Sequence, residues 1–138
     1  MRKVVDWNCE DGGKSLHFRI QQMSATQAER FTLKVLLLIG ASGGNFEKGD
    51  LSALMASLVS APYEKIQELL SELLSCCSIV VERVETKLTE DNVDMFISER
   101  NTLLQLRAEA FKVNDFFQTS GLNVFEQSPV PADIKRKA

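Results

Sequence analysis

The chain has 138 residues, of which 44% are hydrophobic and 25% are charged, and its formal net charge is −3. These values are ordinary for a globular protein, and they argue against global disorder and against nucleic-acid binding. The longest purely apolar run, Val35–Ile39, is far shorter than the roughly 20 residues of a membrane-spanning helix. The N-terminal residues also lack the apolar segment of a secretory signal, so a single cytoplasmic domain is expected.

The first predicted element is a β-hairpin over residues 3–21. Apolar and polar residues alternate from Leu16 to Ile20, as expected of a strand with one buried face. Gly12 and Gly13 indicate a turn after an earlier apolar strand, with a connection expected to exceed two residues. Because a lone hairpin is marginal in water, it must pack on helices or pair with another chain through an open edge.

A strongly apolar helix is predicted to follow, over residues 25–39. Ser24 is suited to accept hydrogen bonds from its first backbone N–H groups, and Gln27 completes a capping-box pattern. Apolar residues then recur at spacings of three and four, and the last turn before Gly40 is apolar nearly all round. Such a helix needs partners on several sides.

Further helices are predicted over residues 50–60, 62–77, 90–96 and 99–117, with one continuous helix from Glu90 as the alternative to the last two. Between them, Ile79–Val84 is rich in β-branched residues and is expected to be an extended loop or a short strand added to the hairpin. Residues 122–138 contain two prolines and are predicted to be a poorly structured tail. The expected fold is mainly α with a small N-terminal β-hairpin (α+β), a compact single-domain helical bundle over residues 1–121.

The sequence shows none of the patterns that catalysis needs, such as a nucleophile with a base or a phosphate-binding loop. His17 is predicted to lie on the outward face of its strand, as a surface imidazole. Cys9, Cys76 and Cys77 are odd in number and poorly spaced for zinc, so we interpret them as small buried residues in a reducing compartment. We therefore expect no enzyme activity, no catalytic residue, no cofactor and no metal.

Two segments resemble the tail assembly chaperones of long-tailed bacteriophages. The first segment runs from Phe18 to Gly40 and reads FRIQQMSATQAERFTLKVLLLIG. It is similar to the opening of that family, in which a hairpin leads through a Met-small-Ala turn into a first helix that contains an aromatic residue. The second segment runs from Asn101 to Phe117 and reads NTLLQLRAEAFKVNDFF. It is similar to the last helix of the family, which carries Thr-Leu and then Leu-Arg-x-Glu. The two segments occur in the order that the family has.

The resemblance implies a non-catalytic tail assembly chaperone of a phage or prophage. Such a protein binds the long, helical tape measure protein, keeps it soluble, and helps the tail tube protein polymerise around it. It acts in the host cell cytoplasm, is absent from the mature virion, and has no nucleic-acid or membrane partner; a homo-oligomer is left open. We expect helix-in-groove recognition. The predicted contact surface consists of Phe31, Val35, Leu38, Ile39, Phe116 and Phe117, with the alternative that each of these residues belongs to the core instead.

Two other functions compete with this interpretation. The first is a structural virion or neck component, which mass spectrometry of purified particles would detect in the finished particle. The second is a small bacterial adaptor or regulatory protein. From Glu64 to Glu99 the chain has nine acidic and three basic residues, so this acidic segment could serve a basic partner. The basic end, KRKA, is interpreted as a solvated tail.

Overall fold

A four-stranded antiparallel sheet and four α-helices make up the fold in a computed structural model, which describes residues 2–41 and 51–114. The strands follow the chain order β1-β2-β3-β4 across the sheet, and they are β1 (Val4–Asp11), β2 (Lys14–Gln21), β3 (Cys77–Val81) and β4 (Val84–Lys87). The helices are α1 (Ala25–Ala41), α2 (Leu51–Ser57), α3 (Tyr63–Leu74) and α4 (Arg100–Asn114). The predicted tail, the start of the helix predicted over 50–60 and the end of the helix predicted over 99–117 lie outside the described residues. The helix predicted to reach residue 60 ends earlier, at Ser57.

The predicted fold class, a helical bundle with only a small hairpin, is wrong. The helix expected over residues 62–77 ends at Leu74, and a second hairpin, β3–β4, begins at Cys77. In the sheet, Ile79 pairs with Phe18 on one side and with Thr86 on the other. The β-branched run Ile79–Val81 favours this extended backbone. The fold is therefore α+β, with a four-stranded sheet in place of the single predicted hairpin.

The sheet is apolar on the side that faces the helices and polar on the other. Phe18 and Ile20 point towards the helices and have no exposed surface, and α4 packs against β1 and β2. On the outer side, Asp6 accepts hydrogen bonds from His17 Nε2 at 3.1 Å and from Arg19 Nε at 3.2 Å. These bonds, with His17 first, hold the pKa of the Asp6 carboxyl below its ordinary value. His17 therefore lies on the outer side as a surface residue.

The first hairpin turns more tightly than expected. Asp11 pairs with Lys14, so only Gly12 and Gly13 form the connection. Their φ angles are +58° and +89°, values that glycine adopts without a side-chain clash. A two-residue turn of this kind matches the twist of the flanking strands, which fixes the register of β1 on β2.

The second hairpin also has a two-residue turn, but its two residues are poorly suited to the backbone angles of that turn. Val81 pairs with Val84, and the two residues between them, Glu82 and Arg83, have φ angles of +50° and +70°. Positive φ at both central positions defines the turn type that Asn-Gly favours. Glu and Arg are strained there, because the Cβ of an L-residue approaches the backbone carbonyl.

Replacing this turn by Asn-Gly should stabilise the protein. We expect the Glu82→Asn/Arg83→Gly variant to raise the free energy of unfolding by about 2 kcal/mol, since strain of about 1 to 2 kcal/mol at each position is offset in part by the conformational freedom that glycine loses on folding. Urea denaturation followed by circular dichroism measures the change. In the first turn Gly13→Ala should have the opposite sign, and its effect would come from φ alone because an added Cβ meets nothing within 4 Å. If the Asn-Gly variant were no more stable than the wild type, Glu82 and Arg83 would not be strained in this turn.

The segment between β4 and α4 contains one short helical turn. Thr89 Oγ1 accepts hydrogen bonds from the N–H groups of Asp91 and Asn92, both at 3.2 Å, and a 3-10 helix follows at Val93–Met95. The helix predicted over 90–96 is therefore reduced to this turn. The alternative of one helix from Glu90 is wrong, because α4 begins at Arg100.

Candidate interaction surface

Local capping and one ion pair position helix α1. Ser24 Oγ accepts a hydrogen bond from the backbone N–H of Gln27 at 3.3 Å, which satisfies a donor of the first turn. The Gln27 side chain does not complete a capping box; its amide donates to Ser75 Oγ at 3.4 Å, just beyond the end of α3. One helical turn past Arg30, Lys34 forms an ion pair with Glu72 of α3. These contacts fix which face of α1 meets the rest of the protein.

The structure separates the residues of the predicted contact surface. Phe31 and Val35 have no exposed surface and belong to the hydrophobic core. Leu38 and Ile39 are half-buried and pack against that core. Phe116 and Phe117 lie outside the described residues. Because Phe31 and Val35 are buried, they cannot touch a partner in this conformation and would only hold the surface residues of α1 in position. Residues that touch a partner would have to be other residues of α1.

Two leucines on the opposite face of α1 are exposed, and we call them the outer stripe: Leu33, with 42% of its surface exposed, and Leu37, with 73%. They are four residues apart, so they lie next to each other on one side of the helix. Gly40 and Ala41 continue the exposed side without bulk or charge, and Glu29 and Arg30 precede it. The outer stripe is an apolar surface with a charged end, as found on helices that bind another apolar helix.

Other exposed apolar side chains of the described residues are spread over several elements: Val4, Val59, Tyr63, Val81, Val84, Met95 and Leu104. Val81 and Val84 are paired with each other across the turn of the second hairpin, and the others are isolated, as is normal on protein surfaces. Within the described helices, Leu33 and Leu37 form the one pair of exposed leucines separated by a single turn. This spacing distinguishes the outer stripe from the rest of the apolar surface.

Helix α4 carries buried polar residues that connect it to the other elements. Arg107 Nη1 donates to the carbonyl oxygen of Leu70 in α3 at 2.6 Å and to Glu90 Oε2 at 3.0 Å. Ser71 Oγ donates to the same Glu90 oxygen at 3.0 Å. Desolvation opposes the charge of Glu90, but the hydrogen bond and charge of Arg107 outweigh it and lower the pKa of the carboxyl. Arg107 therefore joins α4, α3 and the segment after β4.

The two ends of α4 are fixed in a similar way. At the first end, the buried carboxylate of Asp11 accepts hydrogen bonds from the N–H groups of Ser98 at 2.7 Å and Glu99 at 2.9 Å. These bonds, with Ser98 first, lower the pKa of Asp11. At the other end, Asn114 Oδ1 accepts from the N–H of Met23 at 2.7 Å, and its amide donates to Ala110. The hairpin and the start of α1 are thus held by one helix.

Sequence reasoning missed the roles of Asp11, Arg107 and Asn114. Arg107 is the arginine of the Leu-Arg-x-Glu pattern, and Thr102, the threonine of the preceding Thr-Leu, is also buried. For Arg107 and Asn114, the signal that could have found them is a polar residue at an apolar position of a helix, because buried polar groups require partners. The segment that carries the resemblance therefore has a scaffold role in the described structure.

The described residues include few groups that could bind a metal ion or act as a nucleophile. Across residues 2–41 and 51–114, His, Cys, Asp and Glu side chains do not form a group of three that could hold a metal ion. Burial raises the pKa of the thiols of Cys9, Cys76 and Cys77, which makes them poorer nucleophiles. In the same ranges, helices long and apolar enough to span a membrane are absent.

Comparison with models of protein families gives a match over most of the chain. A family model described as "phage tail assembly chaperone protein, TAC" matches residues 14–123, which is more than half of the chain. The matched range begins with β2 and contains every described helix, whereas β1 precedes it. Searches of curated proteins and of solved structures gave no match.

Proposed function

The chain belongs to the phage tail assembly chaperone family, and from this premise we propose that it is a non-catalytic chaperone of the tape measure protein. Its role is to keep this client soluble until the tail tube protein polymerises around it. It acts in the cytoplasm of the host cell, without a cofactor, and leaves before the virion is complete. The family match is the observation that carries this proposal.

The outer stripe is the part of the described surface best suited to the client. A long helical protein that waits for its tube exposes apolar stripes, and an apolar helix face of the chaperone can cover them. Leu33 and Leu37 supply exposed apolar area, and they face outward because Phe31 and Val35 on the other side of α1 are buried in the core. Leu38 and Ile39 border the surface, Phe31 and Val35 support it from below, and Phe116 and Phe117 complete the proposed set.

A charge introduced on the outer stripe tests this assignment. We expect Leu33→Glu/Leu37→Glu to weaken binding of the tape measure protein at least roughly tenfold, because two carboxylates would have to be desolvated in an apolar contact. Folding should be kept, since both residues are exposed and Glu is a good helix former. Binding is measured by co-purification from cells that express both proteins, and by titration of the purified partners where the client is soluble.

A matched control is available beyond the end of α2. Val59 is 78% exposed and lies outside α1, so Val59→Glu adds a carboxylate at an apolar surface position without touching the outer stripe. It should bind the client as the wild type does. Undiminished binding by the double variant, with circular dichroism that shows a folded protein, would place the client elsewhere. Equal losses in both variants would show an effect of charge alone.

A further inference from the structure

Strand β1 leaves one side of its backbone without a partner strand among the described residues. Sheet order places β1 at an edge, beside β2 only. In an antiparallel pair, alternate residues direct N–H and C=O towards the neighbour, and Asp11 and Lys14 form such a hydrogen-bonded pair at the two-residue turn. Counting back by twos, Val5, Trp7 and Cys9 bond towards β2. The backbone groups directed away from it belong to Val4, Asp6, Asn8 and Glu10.

The charges of Asp6, Glu10 and Asp11 give this edge some protection against pairing, but the other usual devices are missing. Its eight residues pair with β2 in continuous register, without a bulge along the described strand, and the sequence has neither proline nor lysine from Val4 to Asp11. Edge strands are commonly protected by charged residues, lysine above all, by proline, by bulges or by being short. The opposite edge strand, β4, is short, with only four residues. The two edges therefore differ in their capacity to accept another strand.

We propose that β1 pairs with β1 of a second copy of this chain, antiparallel, with Trp7 opposite Trp7 of the partner copy. In this register Asp6 lies opposite the partner's Asn8, Asn8 opposite the partner's Asp6, and Val4 opposite the partner's Glu10. Each outward-directed N–H and C=O of the edge then faces an outward-directed group of the other copy. The two sheets join into one sheet of eight strands, with both sets of helices on the same side.

The side chains favour this register over its neighbours. A shift of two residues in one direction places Asp6 opposite the partner's Asp6, and a shift in the other direction places it opposite the partner's Glu10. Like charges directly opposite each other destabilise a strand pair, and the proposed register has none. It also brings together two indole rings, each half-buried and packed on Phe18 with ring centroids 5.7 Å apart. An aromatic pair across the strands stabilises the contact.

The edge is separate from the surface proposed for the client. It lies before the range matched by the family model, and the outer stripe lies on α1, outside the sheet. Self-association and client binding can therefore succeed or fail independently. Because only eight residues of each copy take part, we expect a weak dimer that forms over roughly 1 to 300 µM.

Sedimentation equilibrium and tryptophan fluorescence test the proposal on the full chain. Trp7 is the chain's one tryptophan, so its emission should shift to shorter wavelength as the concentration rises and the dimer forms. In Asn8→Asp, two carboxylates lie opposite the partner's Asp6 residues, and we expect the dissociation constant to rise roughly tenfold. Asn8→Lys places a cation there instead, and we expect the dissociation constant to fall by about threefold.

The opposite responses of two substitutions at one exposed position identify both the edge and its register. With Asn8 opposite the partner's Asn8, lysine would weaken the dimer, and that result would overturn the register. A wild-type protein that stays monomeric up to about 300 µM would overturn the proposal. So would a dimer that neither substitution changes. If β1 paired only with a client or an added peptide, and not with β1 of a second copy, the result would also count against the proposal.

Discussion

Phe31→Ala is expected to lower the free energy of unfolding by about 4 kcal/mol. Phe31 has no exposed surface and lies within the hydrophobic core, so truncation removes buried apolar area and leaves a cavity. Leu37→Ala, on the same helix, should change stability by no more than about 0.5 kcal/mol, because most of that side chain is exposed. Urea denaturation of the two variants, fitted with a common slope, provides the comparison.

This pair of variants separates a core residue from a surface residue on one apolar helix. If Phe31→Ala unfolded with nearly wild-type stability, Phe31 would not be part of the core, and its membership of a direct contact surface would gain support. If Leu37→Ala cost as much as Phe31→Ala, the outer stripe would be packed against something in the folded protein. Either result would contradict the placement of Phe31 in the core and of Leu37 on the surface of α1.

Arg107→Met is expected to lower the free energy of unfolding by about 3 kcal/mol. Methionine keeps much of the buried aliphatic volume but cannot donate to the Leu70 carbonyl or to Glu90. Glu90 is partly exposed, which lets water compensate in part, so the loss should stay at the lower end for a broken buried pair. The measurement is again urea denaturation, with circular dichroism as the probe.

Lys112 supplies a matched control on the same helix. Its ammonium group lies 3.5 Å from Glu109, but its side chain is 76% exposed, and exposed ion pairs contribute little. Lys112→Met should therefore change stability by about 0.5 kcal/mol or less. An Arg107→Met variant no less stable than Lys112→Met would show that the Arg107 contacts do not hold α4 in place.

The start of the fold was readable from sequence because its signals are local. The alternation in β2, the glycines of the first turn, and the cap at Ser24 act over a few residues, and α1 begins at Ala25 as predicted. The second hairpin was not recognised, because Glu82 and Arg83 are not turn-forming residues and β4 has only four residues. Pairing of β3 with β2 joins residues about sixty positions apart, and the β-branched run Ile79–Val84 predicted it only as one of two alternatives, a short strand added to the hairpin.

The candidate surface was less predictable than the helix that carries it. Where the apolar residues of a helix extend nearly all round, periodicity does not show which of them face the core. The structure places Phe31 and Val35 inside and Leu33 and Leu37 outside. The partners of Asp11 and Arg107 also lie far away in sequence, so their scaffold roles became visible only when α4 was placed against the hairpin and α3.

The most direct test of the proposed function is co-expression of this chain with the tape measure protein of the same phage or prophage. The soluble fraction is analysed by size-exclusion chromatography, with expression of each protein alone as the reference. We predict that the tape measure protein becomes soluble only in the presence of this chain, and that the two proteins co-elute. A tape measure protein that stays insoluble while this chain elutes alone and folded would contradict the chaperone function proposed here.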